Sequence, residues 1–153
     1  MDKAALVEML KALVKARYAR ALAALAGAEE AATGDDTKAE GKYDTRGLEA
    51  SYLAAGQAEQ ADELAQAVAR LDAAEFPDYD FDDPIGPGAL IEAERNSEIV
   101  YYLLAPAGGG LTLESEGEQV TVLGSGAPLR ARLMGQTSGT ILEEIGLTIL
   151  EVM

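Results

Sequence analysis

The sequence predicts an α+β protein, an antiparallel helical hairpin followed by a small β-rich domain with one short helix. Three observations predict it. Residues from Asp2 to Thr33 are rich in Ala and Leu, hold no Pro and reach their first Gly only at Gly27, which is the composition of a long helix. A second stretch of helical spacing follows a short polar interruption, so two helices can fold back on each other. Beyond Gly86-Pro87-Gly88 the apolar residues gather in short runs separated by Gly, Asn and Ser, the pattern of a sheet.

In the first arm Val7, Leu10, Val14, Ala21, Ala24 and Ala28 come close to a heptad seam, broken at Arg17. The small residues in it allow a close partner helix. Thr33-Gly34-Asp35-Asp36-Thr37 supplies a helix-ending glycine and three capping residues, so the chain reverses there. The second arm runs from about Tyr43 to Ala74, with Leu48, Tyr52, Leu64, Val68 and Leu71 at helical spacing, diluted by Gly47 and Gly56. The hairpin coiled coil thus takes residues 1–75 with its tip near 34–44. Arms of about 30 residues are roughly 45 Å long at 1.5 Å per residue. Tyr43 and Tyr52 are read as packing against the facing arm. Lys3, Lys11, Lys15, Arg17 and Arg20 are read as a solvated basic face with Glu8 as a partner.

Residues 76–87 read as an acidic linker, since Glu75 to Pro84 holds two prolines and five acids. In the domain at 88–153, β runs are expected at Ala89–Glu94, Glu98–Ala105, Leu111–Leu113, Gln119–Leu123, Thr140–Ile145 and Leu147–Val152. Arg95-Asn96-Ser97, Gly108-Gly109-Gly110 and Gly117 read as hairpin connections. The triple glycine lacks the Lys and Ser/Thr of a phosphate loop. Pro128 to Gly135 has proline at a first helical position and glycine behind it, which places the short helix.

Composition narrows the function. The 153 residues carry 27 acidic and 12 basic side chains, a formal net charge of -15, and neither His nor Cys. No disulfide, thiol nucleophile, imidazole base or Cys/His zinc site is possible, so any chemistry belongs to carboxylates. The negative charge argues against binding naked nucleic acid and for metal ions or basic protein surfaces. No apolar run reaches the roughly 18 residues of a membrane span, and the first residues lack a signal-peptide pattern. A cytoplasmic protein that contacts no membrane is expected.

Two sets of residues carry a family resemblance. One is Ala31-Ala32-Thr33-Gly34-Asp35 leading into Ala39-Glu40-Gly41-Lys42-Tyr43-Asp44-Thr45-Arg46-Gly47-Leu48-Glu49-Ala50-Ser51-Tyr52-Leu53-Ala54. The other is Ile85-Gly86-Pro87-Gly88-Ala89 together with Ala127-Pro128-Leu129 and Leu133-Met134-Gly135. Across essentially its whole length the chain resembles the GreA/GreB family of bacterial transcript-cleavage and elongation factors, as a divergent branch. It departs from the family pattern where Gly41 follows Glu40, where Tyr43 arrives one residue early, where Ala127 replaces a serine, and at Gly139-Thr140 in place of Gly-Asp.

The resemblance implies an FKBP-like C-terminal domain and binding to bacterial RNA polymerase. Docking would use Ala127, Pro128, Leu129, Arg130, Leu133, Met134 and Gly135. The acidic tip would enter the secondary channel, where Asp35, Asp36 and Glu40, with Asp44 behind them, share a Mg²⁺ with the polymerase. Mg²⁺ takes hard oxygen ligands and is often held by one or two protein carboxylates, and a second metal can activate water for phosphodiester hydrolysis. The chain would be no enzyme itself; it would modulate elongation or the polymerase's own cleavage, with at most indirect contact to nascent RNA and no sequence-specific DNA binding. The scarcity of aromatics beyond residue 85 argues against a prolyl isomerase pocket.

Two other readings stay open. Thr37 and Glu40 fit a capping box, so Glu40 can close the second helix with Asp35 or Asp36 at its positive end. The whole protein can also be a non-catalytic acidic coiled coil for another basic partner, or occupy the channel as an inhibitor without stimulating cleavage.

Overall fold

The structure, a computed structural model, describes residues 1–33 and 46–153. Helix α1 spans Lys3–Thr33 and helix α2 spans Arg46–Ala73. The Asp2 carboxylate accepts a hydrogen bond from the Ala5 N–H at 3.0 Å and so satisfies one of the unpaired donors at the start of α1. The remainder is a six-stranded sheet with one short helix, and the fold is α+β with a helical hairpin first, as the sequence predicts. By packing, the chain divides into two compact units, one of Met1–Lys11 with Arg70–Met153 and one of Ala12–Ala69.

In the helical unit, buried Val14, Ala21 and Ala28 on α1 alternate with half-buried Tyr18, Leu25 and Ala32. The steps of four and three residues are a heptad. On α2 the covered positions are Gly47, Ala50, Ala54, Gln57, Ala61, Leu64 and Val68, with the same alternation. Ala21 and Ala61 are only 5% and 4% exposed, and a methyl group is covered so fully only where the facing helix comes close. The seam therefore differs from the expected one. Arg17 and Ala24 are exposed and lie off it, so it passes unbroken through Tyr18 and Leu25. Leu48 and Tyr52 are 54% and 70% exposed, so neither packs on the facing arm; small residues take those places. Tyr43 lies outside the described residues.

In the other unit the strands are β1 Leu90–Arg95, β2 Glu98–Leu104, β3 Thr112–Ser115, β4 Glu118–Leu123, β5 Ile141–Leu142 and β6 Leu147–Val152, in the order β3-β4-β2-β1-β6-β5. The hairpin turns expected between β1 and β2 and between β3 and β4 are present, with positive φ at Asn96 and Ser97 and at Glu116 and Gly117. Gly108 to Gly110 is not a hairpin turn. β4 pairs in parallel with β2, and β3 lies outside β4, so this loop carries the chain past the place β4 later fills. Its glycine has a packing reason: a Cβ on Gly109 would sit 2.9 Å from the Gly124 nitrogen. The run expected at Thr140–Ile145 is shortened to Ile141–Leu142, and Glu143–Ile145 forms a single 3-10 turn ended by Gly146 in the left-handed region.

Helix α3, Pro128–Leu133, packs on one sheet face. Leu133 joins Ile91, Ala93, Tyr102, Leu104, Leu147, Ile149 and Val152 in a core. The opposite face buries Leu90, Leu103, Leu113, Val120 and Val122. Leu6 and Leu10 of α1 and Leu71 of α2 are fully buried in the same unit. Residues 76–87 hold neither helix nor strand, as a linker would, yet they are tied down. Ile85 exchanges backbone hydrogen bonds of 2.8 Å with Gly135 and Gln136, and the Tyr79 hydroxyl donates to the Pro87 carbonyl at 2.9 Å.

Candidate functional site

The segment joining α1 to α2 contains Asp35, Asp36, Glu40 and Asp44, the residues proposed to share a magnesium ion. All four lie outside the described residues, as does the Thr37 and Glu40 capping pair. On the described side, the last turn of α1 carries Glu29 and Glu30, and the Thr33 hydroxyl donates to the Glu29 carbonyl at 2.9 Å. Among the described residues no three carboxylates converge closely enough to hold a metal ion.

The docking residues expected from sequence fall on and around α3, and they separate into two groups. Leu133 is fully buried, and Ala127 and Leu129 are half-buried against the core. Arg130 is half-buried as well, and one guanidinium nitrogen donates to the Ala105 carbonyl at 2.7 Å and the Leu123 carbonyl at 3.3 Å. Those carbonyls stand at the ends of the parallel pair β2 and β4, and the Leu123 carbonyl also accepts from the Ala105 N–H at 3.1 Å. Arg130 supplies the Ala105 carbonyl with a donor and the Leu123 carbonyl with a second one, and fixes α3 to the sheet. Pro128, Met134 and Gly135 face outward, together with Ala131 and Arg132.

Pro128 occupies the first turn, where its missing N–H costs nothing. Ala127 at the cap has no side chain that can accept from the helix, so the N-terminus of α3 is uncapped by a side chain. At the other end the Met134 N–H bonds the Arg130 carbonyl at 3.0 Å, and Gly135 takes φ of +80°. Arg132 forms an ion pair with Glu144, which holds that carboxyl below its ordinary range through the hydrogen bond first and the charge second. The exposed strip thus presents a proline, a methionine and small residues beside one paired cation.

Sequence reasoning missed Lys3. It was read as part of a solvated basic face, and Lys11 does pair with Glu8 at 3.4 Å on such a face. Lys3 instead is buried, donates to the Pro77 carbonyl, pairs with Asp78 at 3.6 Å and lies 5.6 Å from the Tyr79 ring centre. Burial lowers its pKa, partly offset by Asp78. No signal near residue 3 announces this, because its partners are more than 70 residues away in sequence.

No protein-family description matches the chain, and no curated protein matches it. Among solved structures it is similar to the GreA factor homolog 1 (Gfh1) protein of Thermus thermophilus, at 16% sequence identity over 94% of each chain and a TM-score of 0.38. A similarity this distant decides nothing about the activity of this chain. No helix among the described residues is long and apolar enough to cross a membrane.

Proposed function

We propose that this protein is a Gre-like regulator of bacterial RNA polymerase, docking through the outer strip of α3 and placing its acidic hairpin tip in the secondary channel. What supports the reading is where the two resembling segments fall on the fold. One joins two helices of 31 and 28 residues, and the other forms α3 and its flanks on the surface of the β unit. An arm of that length reaches about 45 Å from its base. A carboxylate at its end can then serve a metal centre that the protein does not itself contain.

In this account Asp35, Asp36 and Glu40, with Asp44 behind them, complete the coordination of a polymerase-bound Mg²⁺. The chain supplies position and charge, and the polymerase supplies the catalytic centre. Pro128, Met134 and Gly135 make the docking contact, while Arg130 and Leu133 hold the helix that presents them. Purified protein mixed with bacterial core RNA polymerase should form a complex, and Met134→Glu should weaken it without changing the fold. Absence of any complex under low-salt conditions would remove the proposal.

A further inference from the structure

A second surface lies at the turn between α2 and β1. Phe81, one of two phenylalanines in the chain, is 69% exposed in the turn between α2 and β1. The turn is held in shape. The Asp80 N–H donates to the Asp83 carboxylate at 2.8 Å, and the Asp83 N–H donates back to the Asp80 carbonyl at 3.0 Å. Beside Phe81 opens a cavity of about 500 Å³, whose walls include Lys3, Asp78, Tyr79, Asp80 and Glu151. Aromatic and carboxylate groups therefore border one concave space.

The fold already seats a cation in this wall, since the Lys3 ammonium pairs with Asp78 and lies over Tyr79. Phe81, Asp80 and Glu151, all exposed, line the same cavity, together with Met1 and Asp2, and supply the same residue types, an aromatic ring and carboxylates. We infer that this cavity is a docking site for a basic protein segment, with an arginine side chain stacked on Phe81 and its fork directed at the Asp80 and Glu151 carboxylates. A planar guanidinium fits this better than an ammonium, because it can stack and make paired hydrogen bonds together. Nucleic acid is repelled by a chain of net charge -15. A bare divalent cation would compete for the same carboxylates without engaging Phe81. The inference is independent of the polymerase reading.

The test is an amide NMR titration of the full chain with the peptide Gly-Arg-Gly-Arg-Gly, with magnesium chloride at matched ionic strength as a second arm. Shifts concentrated at residues 78–83 and 151 are expected, and Phe81→Ala should weaken binding about fivefold while Phe81→Tyr retains it. Phe81 is exposed, so unchanged amide positions elsewhere confirm that the variant is folded. Three outcomes overturn the inference: equal binding by Phe81→Ala, shifts spread evenly over the other acidic strands, or displacement of the peptide by Mg²⁺ with the same shift pattern.

Discussion

The buried ammonium of Lys3 donates a hydrogen bond to the carbonyl oxygen of Pro77, joining the first turn of α1 to the segment that leaves α2. The Tyr79 ring lies against the same ammonium and its hydroxyl reaches on to Pro87, so one lysine organises the approach to β1. Lys3→Met keeps the apolar stem and strands the Pro77 acceptor. A loss of about 1–3 kcal/mol in chemical denaturation is expected. A change within error would mean that the carbonyl finds water once the ammonium is gone.

Arg130 makes the opposite test, because it sits on α3 beside the outward-facing residues proposed to dock, yet its guanidinium donates inward. Arg130→Ala leaves the Ala105 carbonyl without its donor and takes one of two donors from the Leu123 carbonyl, and should cost about 1–3 kcal/mol. Arg130→Lys recovers only part, since an ammonium does not reproduce the planar fork. Pro128→Ala and Met134→Ala, which change outward groups, should leave the denaturation midpoint nearly unmoved. If Arg130→Ala were equally silent, its contacts would be incidental.

The small-residue seam of the hairpin predicts a contrast between neighbours. Ala21→Leu forces three extra carbons into a covered position and should destabilise the helical unit by about 1–3 kcal/mol. Ala24→Leu, on the exposed surface, should be neutral. Gly56→Ala should stabilise by about 0.5–1 kcal/mol, because an added Cβ meets nothing within 4 Å and glycine is a poor helix former. Circular dichroism melts of the three variants decide it. The reverse order for Ala21 and Ala24 would put the seam on the wrong side of α1.

Alkaline titration gives a fourth outcome. Burial first, then the charges of Glu92, Glu118 and Glu116, raise the Tyr101 pKa above 10.0, and burial with Asp83 raises that of Tyr79. A phenol raised in the folded state stabilises the fold below pH 10.0, and that contribution fades as pH climbs from 10.0 through the raised value. NMR of labelled tyrosine should find Tyr79 and Tyr101 titrating above the ordinary phenol value. Tyr101→Phe should remove one of these two late steps, and titration of either residue at the ordinary phenol value would contradict the assignment.

Most of the architecture was legible because local chemistry sets it. Asn96 and Ser97, and Glu116 and Gly117, are turn residues between β-rich runs, and both hairpins formed there. The triple glycine was misread because a hairpin loop and a crossing loop need the same backbone freedom, and only the distant Gly124 distinguishes them. Alanine was ambiguous in α1 for a related reason, since it suits both a close helix contact and an exposed face. On α2 the expected large side chains divide: Leu64, Val68 and Leu71 are covered, while Leu48 and Tyr52 are exposed and Gly47, Ala50 and Ala54 are half-buried at that end. Of the candidate site, position and exposure of the α3 strip follow from Pro128 and Gly135, but the inward turn of Arg130 depends on strand ends far away in sequence.

The most direct measurement of the central claim is a stalled bacterial elongation complex incubated with the purified protein and Mg²⁺, with RNA length and extension rate followed together. The account predicts that the protein binds the complex and changes one of the two, shortening the RNA or slowing its extension. It also predicts that Asp35→Asn, Asp36→Asn and Glu40→Gln combined abolish that change while binding persists, because the amides still cap a helix but are poor magnesium ligands. An unchanged effect in the triple variant would leave occupation of the channel as the mechanism. An elongation complex that neither binds the wild-type protein nor responds to it would contradict the account altogether.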